Sequence, residues 1–364
     1  MPSFPRIAHA PLTTKQPDAC PHCGSHNVTR KGVRKKKLEI VQLWRCASCK
    51  RKFTPGPQAL RNKTYPLRMI LSALTDYNIG YSLTETAARL KKKTNRRVSP
   101  STITAWLSQY KQHCSYRRLR GDGVALFPPE QTIRSIKLYH RQVYGFAYHR
   151  SKLEFIRSGS LDDKRSGDTR FAALADFLEA IPTRCPHDLF RRDDDPKARA
   201  SQAQPAFADV SRIIVNRKEN AATHTAALII PAVGNNKLRH ETLQRFMLAN
   251  DSVTVAVEIP IWLTERDIGA LEAEHGIELA SRDGNTPRVI TGHIDFLQVR
   301  NGAVHILDYK PDARTNKPVA QLAIYALALT RLVPGLKLFD IKCAWFNEEE
   351  YCEFFPRTLF ARRA

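Results

Sequence analysis

Apolar positions along the chain change period from one stretch to the next. Between residues 67 and 111 they recur at helical spacing in three segments, Leu67–Asp76, Leu83–Lys92 and Ser101–Lys111. The breaks between them are Asn78-Ile79-Gly80 and a basic Thr94-Asn95-Arg96-Arg97 connection, so the pattern predicts a three-helix unit. After residues 233–236 (Val-Gly-Asn-Asn) long apolar runs predict helix 237–249, strand 253–263, strand 287–299, strand 302–310, helix 318–332 and strand 338–346, an αβββαβ order. Ahead of both, Leu38–Trp44 reads as a strand between two cysteine pairs, closed by the breaker Pro55-Gly56-Pro57. Residues 121–233 are the least legible, with an aromatic and His-rich stretch at Leu138–Phe155 followed by Pro-, Asp- and Ala-rich sequence.

A chain of 364 residues exceeds what one hydrophobic core usually serves, so several domains are expected. The net charge is +23, and residues 1–120 hold 25 Lys and Arg against only Asp18, Glu39, Asp76 and Glu85. That asymmetry describes a docking module for a polyanion joined to a nearly neutral body. No apolar run reaches the ~18 residues of a membrane span. Met1–Ala10 lacks the apolar stretch and small-residue cleavage pattern of a signal peptide, and eight cysteines are too few for a disulfide scaffold at this length. The expectation is a cytoplasmic protein without a membrane partner, nucleoid-associated if its source is prokaryotic.

Cys20-Pro21-His22-Cys23 and Cys46-Ala47-Ser48-Cys49 are two knuckles that present Cys20, Cys23, Cys46 and Cys49 to one tetrahedral structural Zn²⁺. Gly24 after the first knuckle suits a left-handed turn, and Trp44 and Phe53 form a miniature core. His22 and His26 are alternative ligands that a complete four-cysteine set does not require. Between the knuckles Arg30, Lys31, Arg34, Lys35, Lys36 and Lys37 are expected to rest on phosphate. The combination of C-P-x-C-G, W-x-C-x-x-C and a following Phe resembles the zinc ribbons at the N-termini of insertion-sequence transposases.

Ser82-Leu83-Thr84-Glu85 is a capping-box pattern. Ser99 or Ser101 would cap the next helix, with Pro100 in its first turn, Ile103 and Leu107 inward, and Thr102, Thr104 and Gln109 towards base edges. Arg96 and Arg97 add phosphate contacts. The whole resembles a transposase or repressor helix-turn-helix.

The most chemical stretch is Gly292-His293-Ile294-Asp295 inside an apolar strand, followed by Asp308-Tyr309-Lys310 at the end of the next. Carboxylates on adjacent strands share a divalent ion, which neutralises a phosphodiester and acidifies the attacking water. Asp308 and Lys310, two apart on a strand, project from one face, so Lys310 can orient or deprotonate that water. Gln321 and Tyr325 share one face of the following helix, and His240 in the preceding helix is an available imidazole. Glu241 and Glu258 lie near and are alternative further ligands, but both are read as surface or supporting charges and left outside the ligand set.

In order, His240, Gly292-x-x-Asp295, Asp308-x-Lys310 and Gln321-x-x-x-Tyr325 resemble the RecB-type branch of the PD-(D/E)XK nucleases, including CRISPR-associated exonucleases, over about residues 234–350. The resemblance implies DNA cleavage with Mg²⁺ or Mn²⁺ held by His240, Asp295, Asp308 and the Tyr309 carbonyl. Lys310 is then catalytic, and Gln321 and Tyr325 position the strand or the lysine. Many RecB-type nucleases carry a four-cysteine iron–sulfur cluster with three cysteines grouped near the C-terminus, where this chain has only Cys343 and Cys352. No iron–sulfur cluster is therefore expected, and Cys114, Cys185, Cys343 and Cys352 are read as free or core thiols.

The expected fold is multidomain α+β. A flexible lead occupies 1–19, a zinc ribbon 20–57, a helix-turn-helix domain 65–120, a connecting region of unassigned role 121–233, and a restriction-endonuclease-like αβββαβ core 234–364. The expected function is a DNA-binding, divalent-metal-dependent deoxyribonuclease linked to a mobile element, recombination or genome defence. The competing reading is a DNA-binding regulator or transposition accessory protein with an inactive nuclease-like domain. Cutting both strands needs two sites, hence a homodimer or a recombinase or transposase partner.

Overall fold

The computed structural model describes residues 16–35, 40–54, 65–161, 167–191, 197–201, 214–230, 233, 236–276, 279 and 288–360. Lys36 and Lys37, expected on phosphate, lie outside the described residues, as does most of the expected lead.

Strands β1 (Val28–Lys35), β2 (Ile40–Cys46) and β3 (Lys52–Phe53) form an antiparallel sheet in that order. Its core is Cys20, Val28, Trp44, Cys46 and Phe53. So small a core needs a cross-link or a metal to hold a fold, which is what four clustered thiols provide.

Helices α1 (Leu67–Asn78), α2 (Leu83–Thr94) and α3 (Pro100–Gln109) follow. Both halves of the Ser82/Glu85 capping box form, and Ser99 caps α3 with Pro100 in its first turn. Asn95 ends α2 at φ 54. Ile103 and Leu107 face inward as their spacing predicts, but these helices have no core to themselves. Met69, Leu74, Leu90 and Ile103 pack in one cluster with Leu243, Phe246, Phe296 and Phe346. Asn250 ties the unit down: its Oδ1 receives Asn78 Nδ2 at 2.7 Å and its Nδ2 donates to Thr75 Oγ1 at 3.1 Å.

The middle of the chain, to which the sequence assigned no role, builds part of the main sheet. After α4 (Arg120–Leu126) and α5 (Pro129–Thr132), β4 (Ile133–His140) and β5 (Gln142–His149) form an antiparallel hairpin. Three helices come next, α6 (Arg150–Arg157), α7 (Ala172–Arg184) and α8 (His187–Arg191). The short strands β6 (Lys197–Arg199) and β7 (Asn216–Arg217) and helix α9 (Ala221–Ile229) complete this stretch.

The remainder runs α10 (Asn236–Asn250), β8 (Thr254–Leu263), α11 (Glu265–His275), β9 (Val289–Arg300), β10 (Ala303–Tyr309), α12 (Val319–Leu332), β11 (Ile341–Phe346), β12 (Tyr351–Phe354) and α13 (Arg357–Phe360). The predicted αβββαβ order is corrected by α11, inserted between the first two strands. Its signals are local: Thr264 and Asp267 make a capping box, and Gly276 closes the helix at φ 63.

The large sheet has the order β4-β5-β8-β9-β10-β11-β12-β7, with β6 paired in parallel to the start of β9. α12 carries the chain from β10 to its parallel neighbour β11. One face of the sheet packs on α7, α11 and α12, and the other on α1–α3, α9 and α10. Alternation assigns β10 residues accordingly: Val304 and Ile306 to the α12 face, Leu307 and Tyr309 to the α10 face.

Candidate active site

The site lies where β9 and β10 part. Their ladder ends at Leu307↔Phe296, and β6 takes up β9 again only at Val289–Thr291. Asp295 and Asp308 are the first residues past that ladder. In place of a backbone partner, the Tyr309 amide donates to Asp295 Oδ2 at 3.1 Å.

Alternation also breaks here, in two strands at once. Val257 belongs to the α10 core while Ile259, two residues on, belongs to the α12 core; on β9, Phe296 and Ile294 split the same way. The register pairs Val257 with Phe296 and Ile259 with Ile294, so the matched kinks set Glu258 across from Asp295. Glu258 sits at φ 53, a left-handed conformation that a glutamate adopts only where its surroundings hold it.

From the α10 side comes His240. Its Nε2 is 2.9 Å from Asp295 Oδ2 and its Nδ1 3.8 Å from Glu258 Oε1. Gln244, one turn along, is buried and gives Nε2 to Glu258 Oε1 at 2.7 Å and to the Asp295 carbonyl at 3.3 Å. From the strand ends come Asp308 and Lys310, with Lys310 Nζ 2.9 Å from Asp308 Oδ2. From α12, Gln321 Nε2 donates to the Tyr325 hydroxyl at 2.8 Å. The Tyr309 phenol turns away to Glu348 Oε1 at 3.1 Å, so Tyr309 reaches the site through its backbone.

The structure therefore brings His240, Asp295, Asp308, Tyr309, Lys310, Gln321 and Tyr325 to one cavity of about 320 Å³, and adds Glu258, which sequence reasoning set aside. Arg141 and Arg199 line it as well. Glu241, by contrast, has a side chain 56% exposed and pairs with Arg245. The one sequence signal for Glu258 was a charge inside the apolar run Val255–Leu263, a position that ordinary alternation does not explain.

Electrostatics fit a cation. Burial raises the Asp308 carboxyl well above its usual range, with the Asp295 charge adding to it. Burial also opposes the charge on Asp295, but the His240 cation outweighs it and holds that carboxyl down at about 2. His240 is pushed up to about 11, burial being overcome by Asp295 and Glu258. Lys310 is raised too, burial being overcome by Asp308, so it stands here as a cation. Two adjoining carboxylates in so dry a place do not ionise together without positive charge between them. Asp308 Oδ2 is buried without a well-directed hydrogen bond, and the donor atoms of His240, Glu258 and Asp295 lie within 4.8 Å of one another. One imidazole and the carboxylates of Glu258 and Asp295, with Asp308 alongside, match the needs of a divalent ion.

The family model of the PD-(D/E)XK nuclease superfamily matches residues 112–352. The chain belongs to this superfamily. The match begins well before residue 234, where the resemblance read from motifs began, because the β4–β5 hairpin and the helices after it are part of the domain. Members of this superfamily are typically metal-dependent nucleases. No curated protein and no solved structure matches the chain.

Near the N-terminus of the PD-(D/E)XK chain, the sulfurs of Cys20, Cys23, Cys46 and Cys49 form a cluster that fits zinc. Cys20 and Cys49 Sγ are 3.7 Å apart, and Cys23 and Cys46 Sγ 3.6 Å. Amides of His22 and Cys49 point at sulfurs of Cys20 and Cys46, each at 3.4 Å. Gly24 takes φ 72 as expected, and Lys50 takes the same turn after the second knuckle at φ 61. His26 bonds instead to the Asp18 carbonyl, and the His22 ring lies edge-on to Phe53.

Of the residues expected to touch DNA, Arg34, Arg96, Arg97 and Thr104 are exposed. Thr102 is half-buried with its hydroxyl 2.8 Å from that of Ser99, so its first engagement is with the cap. Lys35 closes β1. The four remaining cysteines are buried thiols, Cys343 and Cys352 on the neighbouring strands β11 and β12. Among the described residues no helix is long and apolar enough to cross a membrane.

Proposed function

We propose that the chain is a divalent-metal-dependent deoxyribonuclease whose basic N-terminal third holds duplex DNA while the cavity between β9 and β10 cuts it. The observation that carries this reading is the convergence of His240, Glu258, Asp295 and Asp308 with Lys310 at the parted strand ends.

His240, Glu258, Asp295 and Asp308 would hold a Mg²⁺ or Mn²⁺ ion, which supplies charge neutralisation on the phosphate and a water acidic enough to attack it. Lys310, a cation beside Asp308, orients that water and the scissile phosphate. Gln321 and Tyr325 form the wall facing the strand, and Arg141 and Arg199 contribute positive charge to the same cavity. Zinc in the ribbon and base contacts from α3 would place the duplex, with Arg30, Lys31, Arg34, Arg96 and Arg97 on phosphates. A link to a mobile element, recombination or genome defence follows from this company of modules, as does a second copy or a recombinase partner for cutting both strands.

The test compares wild type with Asp308→Ala on plasmid and linear DNA, with Mg²⁺, with Mn²⁺ and with EDTA. Metal-dependent cleavage lost in the variant is the expected result. Tight DNA binding without cleavage under any condition would replace this reading with that of a regulator carrying an inactive nuclease fold.

A further inference from the structure

A second group of side chains of metal-ligand type lies at the edge of the cavity, where His140 forms part of the lining, and outside the carboxylate cluster. His140 ends β4, Cys185 caps the C-terminus of α7, and His187 opens α8. His140 and Cys185 are buried. The Cys185 sulfur and one nitrogen from each imidazole lie within 4.8 Å of one another, and His140 Nε2 is 2.8 Å from His187 Nδ1. The turn that presents them is closed by the His187 amide on the Cys185 carbonyl at 2.8 Å.

We propose that Cys185, His140 and His187 form a second transition-metal site, for Zn²⁺ or an ion of like chemistry, separate from the ribbon and from the carboxylate centre. The donor set is one thiolate and two imidazoles, which selects zinc over Mg²⁺. The three donors leave the fourth tetrahedral position to water.

The surroundings are built for a ligand imidazole. A metal-bound histidine ordinarily passes its other ring nitrogen to a fixed partner that sets its orientation. His140 does so, its Nδ1 sharing a hydrogen bond with His293 Nε2 at 2.9 Å. Both rings are clamped: Phe190 stacks on His140 at 4.0 Å and Tyr144 on His293 at 3.6 Å. The Cys185 thiol, buried among these groups, has no hydrogen-bond partner among the described residues. An ion here joins the α7–α8 turn to β4 and, through His293, to β9 two residues from Asp295. It thereby fixes the wall formed by Leu189 and Phe190 on one side of the cavity. The site stands whether or not the cavity cuts DNA.

The test is a Co²⁺ titration of the zinc-free full chain under reducing conditions, in excess Mg²⁺. Thiolate-to-cobalt charge-transfer absorption reports only sites with cysteine ligands, so an ion in the carboxylate centre is silent. Two equivalents are expected to carry that absorption, one strongly from the four-cysteine ribbon and one weakly from a single thiolate. Cys185→Ser, a near-isosteric change, should leave only the ribbon equivalent. Absorption that saturates at one equivalent in the wild-type chain overturns the proposal, and that measurement needs no variant to fold. So does a second absorbing equivalent that survives Cys185→Ser.

Discussion

Gly292 faces the ring of Tyr325 so closely that a Cβ added to the glycine would come within 2.6 Å of Cε1. The first position of Gly292-x-x-Asp295 is thus a clearance: a bare backbone lets the α12 tyrosine lie against β9 three residues before a carboxylate of the site. Gly292→Ala forces that ring or the strand to move, at a cost of about 1–3 kcal/mol. The expected outcome is a lower melting temperature together with impaired cleavage. Tyr325→Phe, which removes the hydroxyl and its hydrogen bond with Gln321 but keeps the ring, should melt closer to wild type than Gly292→Ala. Equal stability of Gly292→Ala and wild type would show that the contact is slack.

Glu258 is expected to matter where Glu241 does not. Glu258→Gln removes a charge 3.8 Å from His240 while keeping an acceptor for Gln244, so the metal should bind more weakly. Cleavage at limiting Mn²⁺ should fall by about tenfold or more and recover in part as the metal is raised. Glu241→Gln, exposed on α10, should stay near wild type throughout the titration.

Lys152 gives the fold a pH dependence that can be read by difference. Its side chain is fully buried, with Nζ donating to the carbonyls of Leu248 at 2.7 Å and Thr254 at 2.8 Å. Burial lowers its pKa from 10.5 to about 8, Asp251 offsetting only part of that. The unfolded chain therefore holds this proton more tightly than the folded one between those values, and folding stability rises with pH across that window. The gain is complete above the unfolded pKa and is lost as pH falls through about 8, an effect on the order of 3 kcal/mol. Chemical denaturation of wild type and Lys152→Met at about pH 7.5, below this window, and about pH 9.5, within it, should give a difference that grows with pH. A constant difference would mean that Lys152 stays charged throughout.

Arg96 and Arg97 lie exposed between α2 and α3. Replacing both with Ala is expected to weaken duplex binding for all sequences alike and to lower the salt dependence of the binding constant by about 0.9 per lost phosphate contact. Binding isotherms at several salt concentrations check this. An unchanged slope would place the DNA elsewhere.

Much of the site was legible because its motifs are local in sequence. One carboxylate inside an apolar strand and one at the end of the next, a lysine two residues after the second and a Gln/Tyr pair at one helical turn follow from periods of 2 and 3.6. His240 is legible only as an available imidazole in the preceding helix, and its place beside Asp295 is set by packing. Glu258 is named in the sequence but set outside the ligand set, since its aim depends on a left-handed residue that flips one strand face, matched by a flip in β9. The run Val255–Leu263 shows no trace of that kink.

The helices and the middle of the chain make the same point. Capping boxes at Ser82 and Thr264 act within four residues, so their outcome was written in the chain, although the second was not read. The pairing of β5 with β8 joins residues more than a hundred positions apart, and nothing in the aromatic, His-rich stretch around β5 names its partner. The sequence by itself determined the ribbon's thiols, the helix caps and the order of the chemical residues, because those depend on short-range geometry and residue type. Only the tertiary structure decided that α1–α3 share a core with the sheet, that β4 and β5 belong to it, and that Glu258 and the histidines flank the carboxylates. Those outcomes depend on which distant surfaces bury one another, a choice made by packing across the whole chain.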